Sequence, residues 1–323
     1  MVNQKKPSAV LPHFDDFLLN LQTNNYSDRT VYNYERDLKV FESFLAELDT
    51  PFAGVNKQVI NQYKAYLTSI DRKTAEKKER GKKKLESRSM NRFLSSLRSF
   101  LKYLIEMDLP CPIAPEAVKL VKTERKHPQV AELNDLIRLI EAPSTFESNK
   151  LVMARNRAML EMLFSTGMRI SELINLNRNQ IDGTGRIFIR GKGKKERFVY
   201  LTPRAYTYLN AYLALRDDNL TALFIPYRGL NASDRATYRR RISTNYLQER
   251  IKRYREKLKI NVPTSAHSLR HGFATYLAES GANPAAIQIL LGHESLDTTT
   301  RYVHASDRYA EKTHHDFHPL PDE

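Results

Sequence analysis

Residues 265–302 read SAHSLRHGFATYLAESGANPAAIQILLGHESLDTTTRY, and this stretch concentrates polar residue types that are scattered elsewhere in the chain. An H-x-x-R-H cluster comes first, then a glycine–histidine pair, then a tyrosine in a threonine-rich segment. The residues concerned are His267, Arg270, His271, His293 and Tyr302. Arginine and histidine bind phosphates, histidine moves protons, and tyrosine can act as a nucleophile. The stretch therefore predicts a site that handles phosphate.

The H-x-x-R-H cluster fits a helix. His267 and Arg270 are three residues apart, which puts both on the same side of a helix. Apolar residues surround Arg270, and a guanidinium in such surroundings needs an anionic partner because an unpaired buried charge is costly. His271 lies one residue further round, where its simplest role is to cap or support the fold.

The second half of the stretch carries His293 and Tyr302. A helix is predicted over 284–291, and His293 follows it after a glycine, a position where histidine is commonly structural but can also donate to a phosphate. Tyrosine usually serves packing. To act as a nucleophile, the phenol of Tyr302, with a pKa of about 10, needs activation by neighbouring positive charge.

Two further candidates lie upstream. Arg169 follows a glycine-bearing turn at the start of a predicted short helix, where anions are favoured, although a lone arginine is more often a surface residue. Together with Arg270 it could clamp a phosphodiester and offset the charge of a pentavalent transition state. Lys192 lies between two glycines at the tip of a predicted hairpin and could protonate a leaving oxygen. Lys194 and Lys195 compete for that role on chemistry alone.

The charge balance favours a polyanionic partner. The chain has 323 residues with 52 Lys and Arg against 37 Asp and Glu, a formal net charge of +15. Basic residues concentrate in 72–88, with nine basic and three acidic residues, and in 235–259, with ten and two. Such clusters suit a nucleic-acid backbone, while a soluble basic protein is the plain alternative. For 72–88 a solvated loop and a direct DNA contact are equally compatible with the pattern.

Several classes of protein are disfavoured. Cys111 is the only cysteine, which excludes an internal disulfide and a multi-cysteine metal site and fits a reducing compartment. The predicted location is cytoplasmic, since neither a secretory signal nor eighteen consecutive apolar residues occur. An arginine inside the histidine cluster and the lack of a carboxylate pair disfavour metal. No phosphate-binding glycine loop of a nucleotide hydrolase is present.

Hydrophobic periodicity predicts a mainly α protein with a small β-sheet or hairpin, in two domains. Residues 1–9 form a flexible tail, 10–108 a helical module, 109–128 a proline-bearing linker, and 129 onward a mixed α/β domain. Helix starts are predicted near Leu11, at Ser27, Asn56, Ser87 or Ser89, Pro203 and Ser233, the last helix running to Leu258. Strands are predicted over 186–191 and 197–201, joined by a basic turn.

Together these motifs resemble the tyrosine recombinase (phage integrase) family. The matching residues are Arg169 in STGMRISEL, Lys192 in IRGKGKKERFVYL, His267 and Arg270 in HSLRH, His293 in LLGH and Tyr302 in TTTRYVH. Their order and spacing are similar to those of the family, most closely its Xer-like branch and compact integrases. The loop 72–88 departs from the pattern, being longer and more charged than compact members usually carry.

The resemblance implies a helical N-terminal core-binding (SAM-like) domain over 10–108 and a mixed α/β catalytic domain over 129–305. The two domains would form a clamp around duplex DNA. Tyr302 would attack a DNA phosphodiester to give a 3′-phosphotyrosine, while Arg169, Arg270, His267 and His293 hold the phosphate. Lys192 would be the general acid for the 5′-oxygen. Neither a cofactor nor a metal is required, because the phosphotyrosyl bond keeps the energy of the broken bond.

The resemblance also implies partners. Four protomers would act at a synapse of two DNA sites, whether one recombinase or a paralogous pair, and the tail 306–323 would dock onto a neighbouring protomer. The favoured activity is Xer-like resolution of chromosome or plasmid dimers. An integrase or transposase of a mobile element is the alternative. A type IB topoisomerase-like relaxase and a DNA-binding protein that has lost catalysis are the remaining hypotheses.

Overall fold

The computed structural model of the chain describes residues 10–69, 73–74, 77–80, 84–123, 131–191, 196–227 and 240–292. The chain divides into two compact units, Met1–Lys126 and His127–Glu323. Several predicted features lie outside the described residues: Lys192, Lys194, Lys195, His293, Tyr302, the tail 1–9 and the tail 306–323.

The N-terminal unit is a helical module with one short hairpin. Its helices are α1 (Phe14–Thr23), α2 (Asp28–Glu47), α3 (Lys57–Thr68) and α4 (Ser87–Glu106). Two antiparallel strands, β1 (Lys73–Thr74) and β2 (Lys77–Arg80), lie between α3 and α4. The expectation of an all-helical module missed this hairpin, because the run 72–88 has no alternation of apolar and polar residues that would indicate strands.

Local capping explains where these helices begin. The Ser27 side chain accepts a hydrogen bond from the backbone N–H of Thr30, and Asn56 accepts from Gln58 and Val59, as the predicted starts required. The first helix starts at Phe14 rather than near Leu11. The prediction of a serine cap on α4 was wrong: Ser87 is its first helical residue and no side chain caps it.

A continuous apolar core holds the N-terminal unit together. Tyr63 is fully buried and packs edge-on against Phe41, with ring centroids 4.8 Å apart. Val118 is also fully buried in this core, although it lies in the stretch expected to be a linker. Asn91 on α4 holds Val121 through both of its backbone groups, at 2.9 and 2.7 Å. The described part of that stretch, up to residue 123, therefore packs on the helical module.

The C-terminal unit is mainly helical with a second hairpin. Its elements are α5 (Leu133–Phe146), α6 (Lys150–Thr166), α7 (Ile170–Asn175), β3 (Arg186–Arg190), β4 (Glu196–Tyr200), α8 (Pro203–Ala214), α9 (Thr244–Lys257), α10 (Ala266–Glu279) and α11 (Pro284–Leu291). The hairpin, the helix starting at Pro203 and the helix 284–291 confirm the corresponding predictions. Helix α6 is buried along most of its length and packs against α5, α8 and α10, so it forms the centre of this unit.

The β3–β4 hairpin presents one face to the core. In its register Ile187 pairs with Val199 and Ile189 with Arg197, and all four side chains are buried. The alternation is that expected of a strand pair with one covered face. Arg197 differs from the other three because it is a charged residue at an inward-facing position.

Helix α9 is shorter than its sequence pattern predicted. It begins at Thr244 and is capped by Ser243, whereas a start at Ser233 was expected. Residues 240–243 are not helical, and Arg241 donates to the carbonyls of Ile174 and Leu176 at 3.2 and 2.7 Å. This long-range contact, which the local pattern does not reveal, holds the chain before α9 in a different conformation.

Two features are absent from the described residues. No helix among them is long and apolar enough to cross a membrane. Within the same part of the chain, no group of three or more histidine, cysteine, aspartate or glutamate side chains is arranged to hold a metal ion.

Candidate active site

The turn at the end of α6 joins two of the predicted residues. Gly167 follows the helix in the left-handed region, with φ of 60°, and its carbonyl accepts a hydrogen bond of 2.8 Å from Nη1 of Arg270. Nη2 of Arg270 donates to the carbonyl of Leu291 at 2.7 Å. Arg270 thus connects the turn that precedes Arg169 with the last residue of α11.

Gly167 is required at this turn for two reasons. Its positive φ disfavours residues with a side chain. A Cβ atom there would also lie 2.3 Å from Cδ1 of Phe273 on α10. The backbone of the turn and helix α10 can approach this closely only because no side chain intervenes.

The Arg270 side chain is buried, with only 3% of the residue exposed. A negatively charged partner was expected for it. Two of its bonds go to the carbonyls of Gly167 and Leu291. Its positive charge also lowers the pKa of both His267 and His271, so the guanidinium adds a positive potential beside these histidines.

Arg169 occupies the N-cap position of α7, as the sequence predicted. Its backbone N–H donates to Oε2 of Glu172 at 2.7 Å, and its Nη1 donates to Oε1 at 3.0 Å. Its side chain is 39% exposed, while that of Glu172 is 6% exposed. One end of the Arg169 guanidinium is thus held by a buried carboxylate, and the rest reaches towards solvent.

Glu172 is shared between two arginines. Nη1 and Nη2 of Arg197 donate to its two oxygens at 3.0 and 2.8 Å. Burial would raise the pKa of this carboxyl, but hydrogen bonds and charges from Arg197 and Arg169 outweigh burial and hold the pKa below its ordinary value. Glu172 is therefore ionised at neutral pH, and the three residues carry a net positive charge.

The two histidines of α10 lie beside these arginines. Ser265 caps the helix, and His267 is an exposed residue of its first turn. Partial loss of hydration and then the charges of Arg270 and Arg169 lower the pKa of His267. Burial, His267 and Arg270 lower the pKa of His271 to about 4, and the two rings meet edge-on with centroids 4.2 Å apart. Both imidazoles are neutral at pH 7 and can accept a proton.

An open groove of about 390 Å³ lies on the exposed side of Arg169. It runs between the start of α7 and the end of β3, and Gly191 lines it beside Arg169. Gly191 immediately precedes Lys192 in the sequence, just as Gly292 immediately precedes His293. Of these two glycines, Gly191 is the one that lines the groove.

Of the six predicted site residues, the structure describes Arg169, His267 and Arg270 and brings them together. Lys192, His293 and Tyr302 lie outside the described residues, so their placement stays a prediction. A cluster of two guanidiniums and a neutral imidazole can bind a phosphate and stabilise added charge on it. It can also accept a proton near neutral pH.

Two residues of the site were missed by the sequence reasoning: Glu172 and Arg197. Each had a signal. Glu172 comes three residues after Arg169, the spacing at which a helix N3 glutamate reaches back to the N-cap N–H. Arg197 stands at an inward position of an alternating strand, between Phe198 and Glu196, where an apolar residue is expected.

Comparison with known families gives two matches. Residues 129–308 match the phage integrase family, and residues 14–107 match the phage integrase, N-terminal SAM-like domain family. One match lies within each of the two compact units of the chain.

Named relatives agree with these matches. The chain is 32% identical over 303 residues to tyrosine recombinase XerD of Staphylococcus epidermidis, covering 91% of this chain and 93% of that protein. The same protein name, identity and coverage apply to a relative from Staphylococcus aureus.

Solved structures show the same fold. The XerH site-specific recombinase bound to palindromic difH substrate in a post-cleavage complex aligns with a TM-score of 0.68 at 19% identity, covering 96% of this chain and 90% of that one. A lambda integrase dimer bound to a COC′ core site also aligns with 0.68, at 14% identity, over 97% and 80%.

Proposed function

This chain belongs to the phage integrase family of tyrosine recombinases, and on that premise we propose that it cuts and rejoins duplex DNA at specific sites through Tyr302. The tyrosine recombinase activity follows from the catalytic-domain match over 129–308 and from relatives that align along nearly the whole chain. We propose, in addition, the role of each site residue and the kind of DNA site on which the protein acts.

The proposed reaction is a transesterification. Oη of Tyr302 attacks the scissile phosphorus, the P–O5′ bond breaks, and a 3′-phosphotyrosine and a 5′-hydroxyl result. Lys192 donates the proton that the leaving 5′-oxygen takes up. In the second step a 5′-hydroxyl from the partner strand attacks the phosphotyrosine and releases Tyr302. The number of phosphodiester bonds is the same before and after the two steps, so the reaction does not need the hydrolysis of a nucleoside triphosphate.

The other residues bind the phosphate. Arg169 and Arg270 contribute two positive charges, and the charge on the non-bridging oxygens grows in the transition state, so the arginines favour it over the ground state. His267, neutral at pH 7, accepts the phenol proton or donates to a phosphate oxygen. His293 is assigned as a second phosphate donor.

One observation carries the proposal: Arg169, His267 and Arg270 converge although 98 residues separate the first two in sequence. The hydrogen bond from Arg270 to Gly167 makes this convergence specific, because it joins α10 to the turn two residues before Arg169. An unrelated basic surface would not need a buried arginine aimed at that turn.

The substrate we favour is a site that resolves chromosome or plasmid dimers, because the aligned relatives are XerD proteins. Assembly on DNA is supported by structural neighbours, among them a lambda integrase tetramer bound to a Holliday junction. We therefore propose that four protomers join two duplex sites, in the cytoplasm, where the chromosome lies.

The test uses a suicide substrate. Rounds of binding by the wild-type chain select a duplex from a random-sequence library, and a nick next to the cleavage position lets the 5′-hydroxyl fragment diffuse away. Wild-type protein is expected to give a covalent adduct that survives denaturing electrophoresis. Tyr302→Phe is expected to bind the duplex with unchanged affinity and give no adduct. Tyr200→Phe, at an exposed tyrosine of β4, is the control and should form adduct normally.

Adduct persisting in Tyr302→Phe would overturn the nucleophile assignment. A plasmid with two selected sites separates recombination from simple relaxation: loss of the segment between them identifies a recombinase, whereas topoisomers alone identify a relaxase. Sequencing the DNA covalently attached in cells then separates a chromosomal site from the ends of a mobile element.

A further inference from the structure

Arg197 lies where the strand pattern calls for an apolar side chain. Strand β4 alternates between exposed and buried residues, and Arg197 shares the buried face with Val199. Its side chain is only 7% exposed. A charge at such a position destabilises the fold unless it is paired and hydrogen-bonded. The bonds that Arg197 makes therefore determine whether this strand can pack as it does.

All three nitrogen positions of the Arg197 guanidinium are used. Nη1 and Nη2 bind the two oxygens of Glu172 at 3.0 and 2.8 Å, and Nε donates to the carbonyl of Leu290 at 2.8 Å. The planar fork of arginine matches this set, whereas the single ammonium of lysine cannot. One side chain on β4 is thus bonded to α7 and to α11.

The turn after α11 packs on the same side chain. Gly292 has φ of 63°, and a Cβ atom there would lie 3.0 Å from Cδ and 3.2 Å from Nη1 of Arg197. The residue that ends α11 is therefore in close contact with Arg197.

We propose that Arg197 is a positioning residue that holds three parts of the recombinase site in register: the start of α7 with Arg169, the β3–β4 hairpin, and the end of α11. The proposal rests on the proposed function, because it assigns Arg197 to a site whose chemistry is itself proposed. Arg197 acts only through these neighbours and does not itself contact the phosphate.

The division of Glu172 between two arginines gives Arg197 a specific effect. Arg197 occupies both carboxylate oxygens, and Arg169 shares one of them through a single side-chain bond of 3.0 Å. Without Arg197, the buried carboxylate has Arg169 as its remaining cation among the described residues. Glu172 would then draw Arg169 into a two-pronged pair and away from the groove.

The test compares Arg197→Met, Arg197→Lys and the double variant Glu172→Gln/Arg197→Met on the suicide duplex. Arg186→Met is the matched control, since Arg186 lies on the same hairpin but its side chain is 52% exposed and pairs with Asp182 at the surface. Melting temperature, duplex affinity and the single-turnover rate of adduct formation are measured for each.

We expect Arg197→Met to lower the cleavage rate at least about 100-fold, the cost of misplacing a reacting group, while duplex affinity stays near wild type. Its melting temperature should fall, because Glu172 is left partly unpaired. The double variant removes both charges, so its melting temperature should recover. Its cleavage should stay slow even though Glu172 no longer attracts Arg169, because the bonds that join β4 to α7 and α11 are still missing. Arg197→Lys keeps the charge but not the fork and should cleave slowly too.

Cleavage at the wild-type rate in Arg197→Met or Arg197→Lys would overturn the inference. So would a double variant that regains both stability and cleavage, because Arg197 would then serve folding alone. If Arg197→Met does not fold, the double variant and Arg197→Lys decide the question. Failure of wild type and Arg186→Met to form any adduct would instead contradict the proposed function.

Discussion

Arg270 and Gly167 are 103 residues apart in sequence, yet Nη1 of the first donates to the carbonyl of the second at 2.8 Å. The other arm of the same guanidinium holds Leu291 at 2.7 Å. Arg270, which is proposed to bind the scissile phosphate, therefore also connects the turn before Arg169 to the end of α11. Its replacement should affect both stability and chemistry.

Arg270→Lys tests this double role. A lysine ammonium cannot reach both carbonyls with the geometry of the guanidinium fork, so at least one buried acceptor loses its partner. The free energy of unfolding should fall by about 1–3 kcal/mol, measured by urea unfolding. Cleavage of the suicide duplex should be lost, with only a modest loss of duplex affinity. Arg270→Ala should behave alike, and normal cleavage in either variant would exclude a role for Arg270 at the phosphate.

Gly167→Ala tests the close approach of the turn to α10. An alanine would adopt a left-handed conformation and would place its Cβ 2.3 Å from Phe273. The expected loss is about 2–5 kcal/mol of unfolding free energy, from backbone strain and overpacking. Gly183→Ala is the control, since no atom lies within 4 Å of a Cβ placed there. Equal stability of the two variants would contradict the described packing.

The low pKa of His271 predicts a pH dependence of stability. The imidazole has a pKa of about 4 in the fold and about 6.5 when unfolded, so between these values the unfolded chain binds the extra proton. The free energy of unfolding is therefore highest above about pH 6.5, and it decreases as the pH falls towards 4. Melting temperatures of wild type and His271→Gln should converge or cross over this window. Parallel curves from pH 7 to pH 4 would show that His271 is not the titrating group.

The β1–β2 hairpin lies in the basic run 72–88 and offers a test of DNA contact. Replacing 73–84 by a Gly/Ser loop of the same length removes seven basic and two acidic residues. If the run contacts phosphates, duplex affinity should fall and the slope of log affinity against log salt concentration should become shallower. Fluorescence anisotropy of a labelled duplex at several salt concentrations measures both. An unchanged slope would mean that the run is only solvated.

The sequence predicted those parts of the site that depend on residue type and short spacing. Arg169 could be placed at a helix start from the glycine turn before it, and His267 and Arg270 could be placed on one helix face from their spacing. Arg197 could not be linked to Glu172 in this way, because their contact spans 25 residues and two different elements. The local pattern also does not reveal that Arg197 and Arg270 bind backbone carbonyls. Every residue has a carbonyl, so the sequence does not mark which ones are bound.

The same difference between local signals and long-range contacts explains which helix bounds were predicted correctly. The helix 284–291 was predicted with its observed bounds because Asn283, Pro284 and Gly292 mark its ends locally. The helix expected from Ser233 starts at Thr244, because Arg241 bonds to carbonyls some 65 residues away, and no local pattern encodes that contact.

The two arginines that hold α11 both bind its main chain, at Leu290 and Leu291. A carbonyl is present whatever side chain the residue carries, so substitutions at position 290 leave the bond from Arg197 intact. Ile289 is 67% exposed and takes part in neither bond. Position 289 is thus open to diversification in a directed-evolution library, because its side chain is exposed and neither arginine bond depends on it.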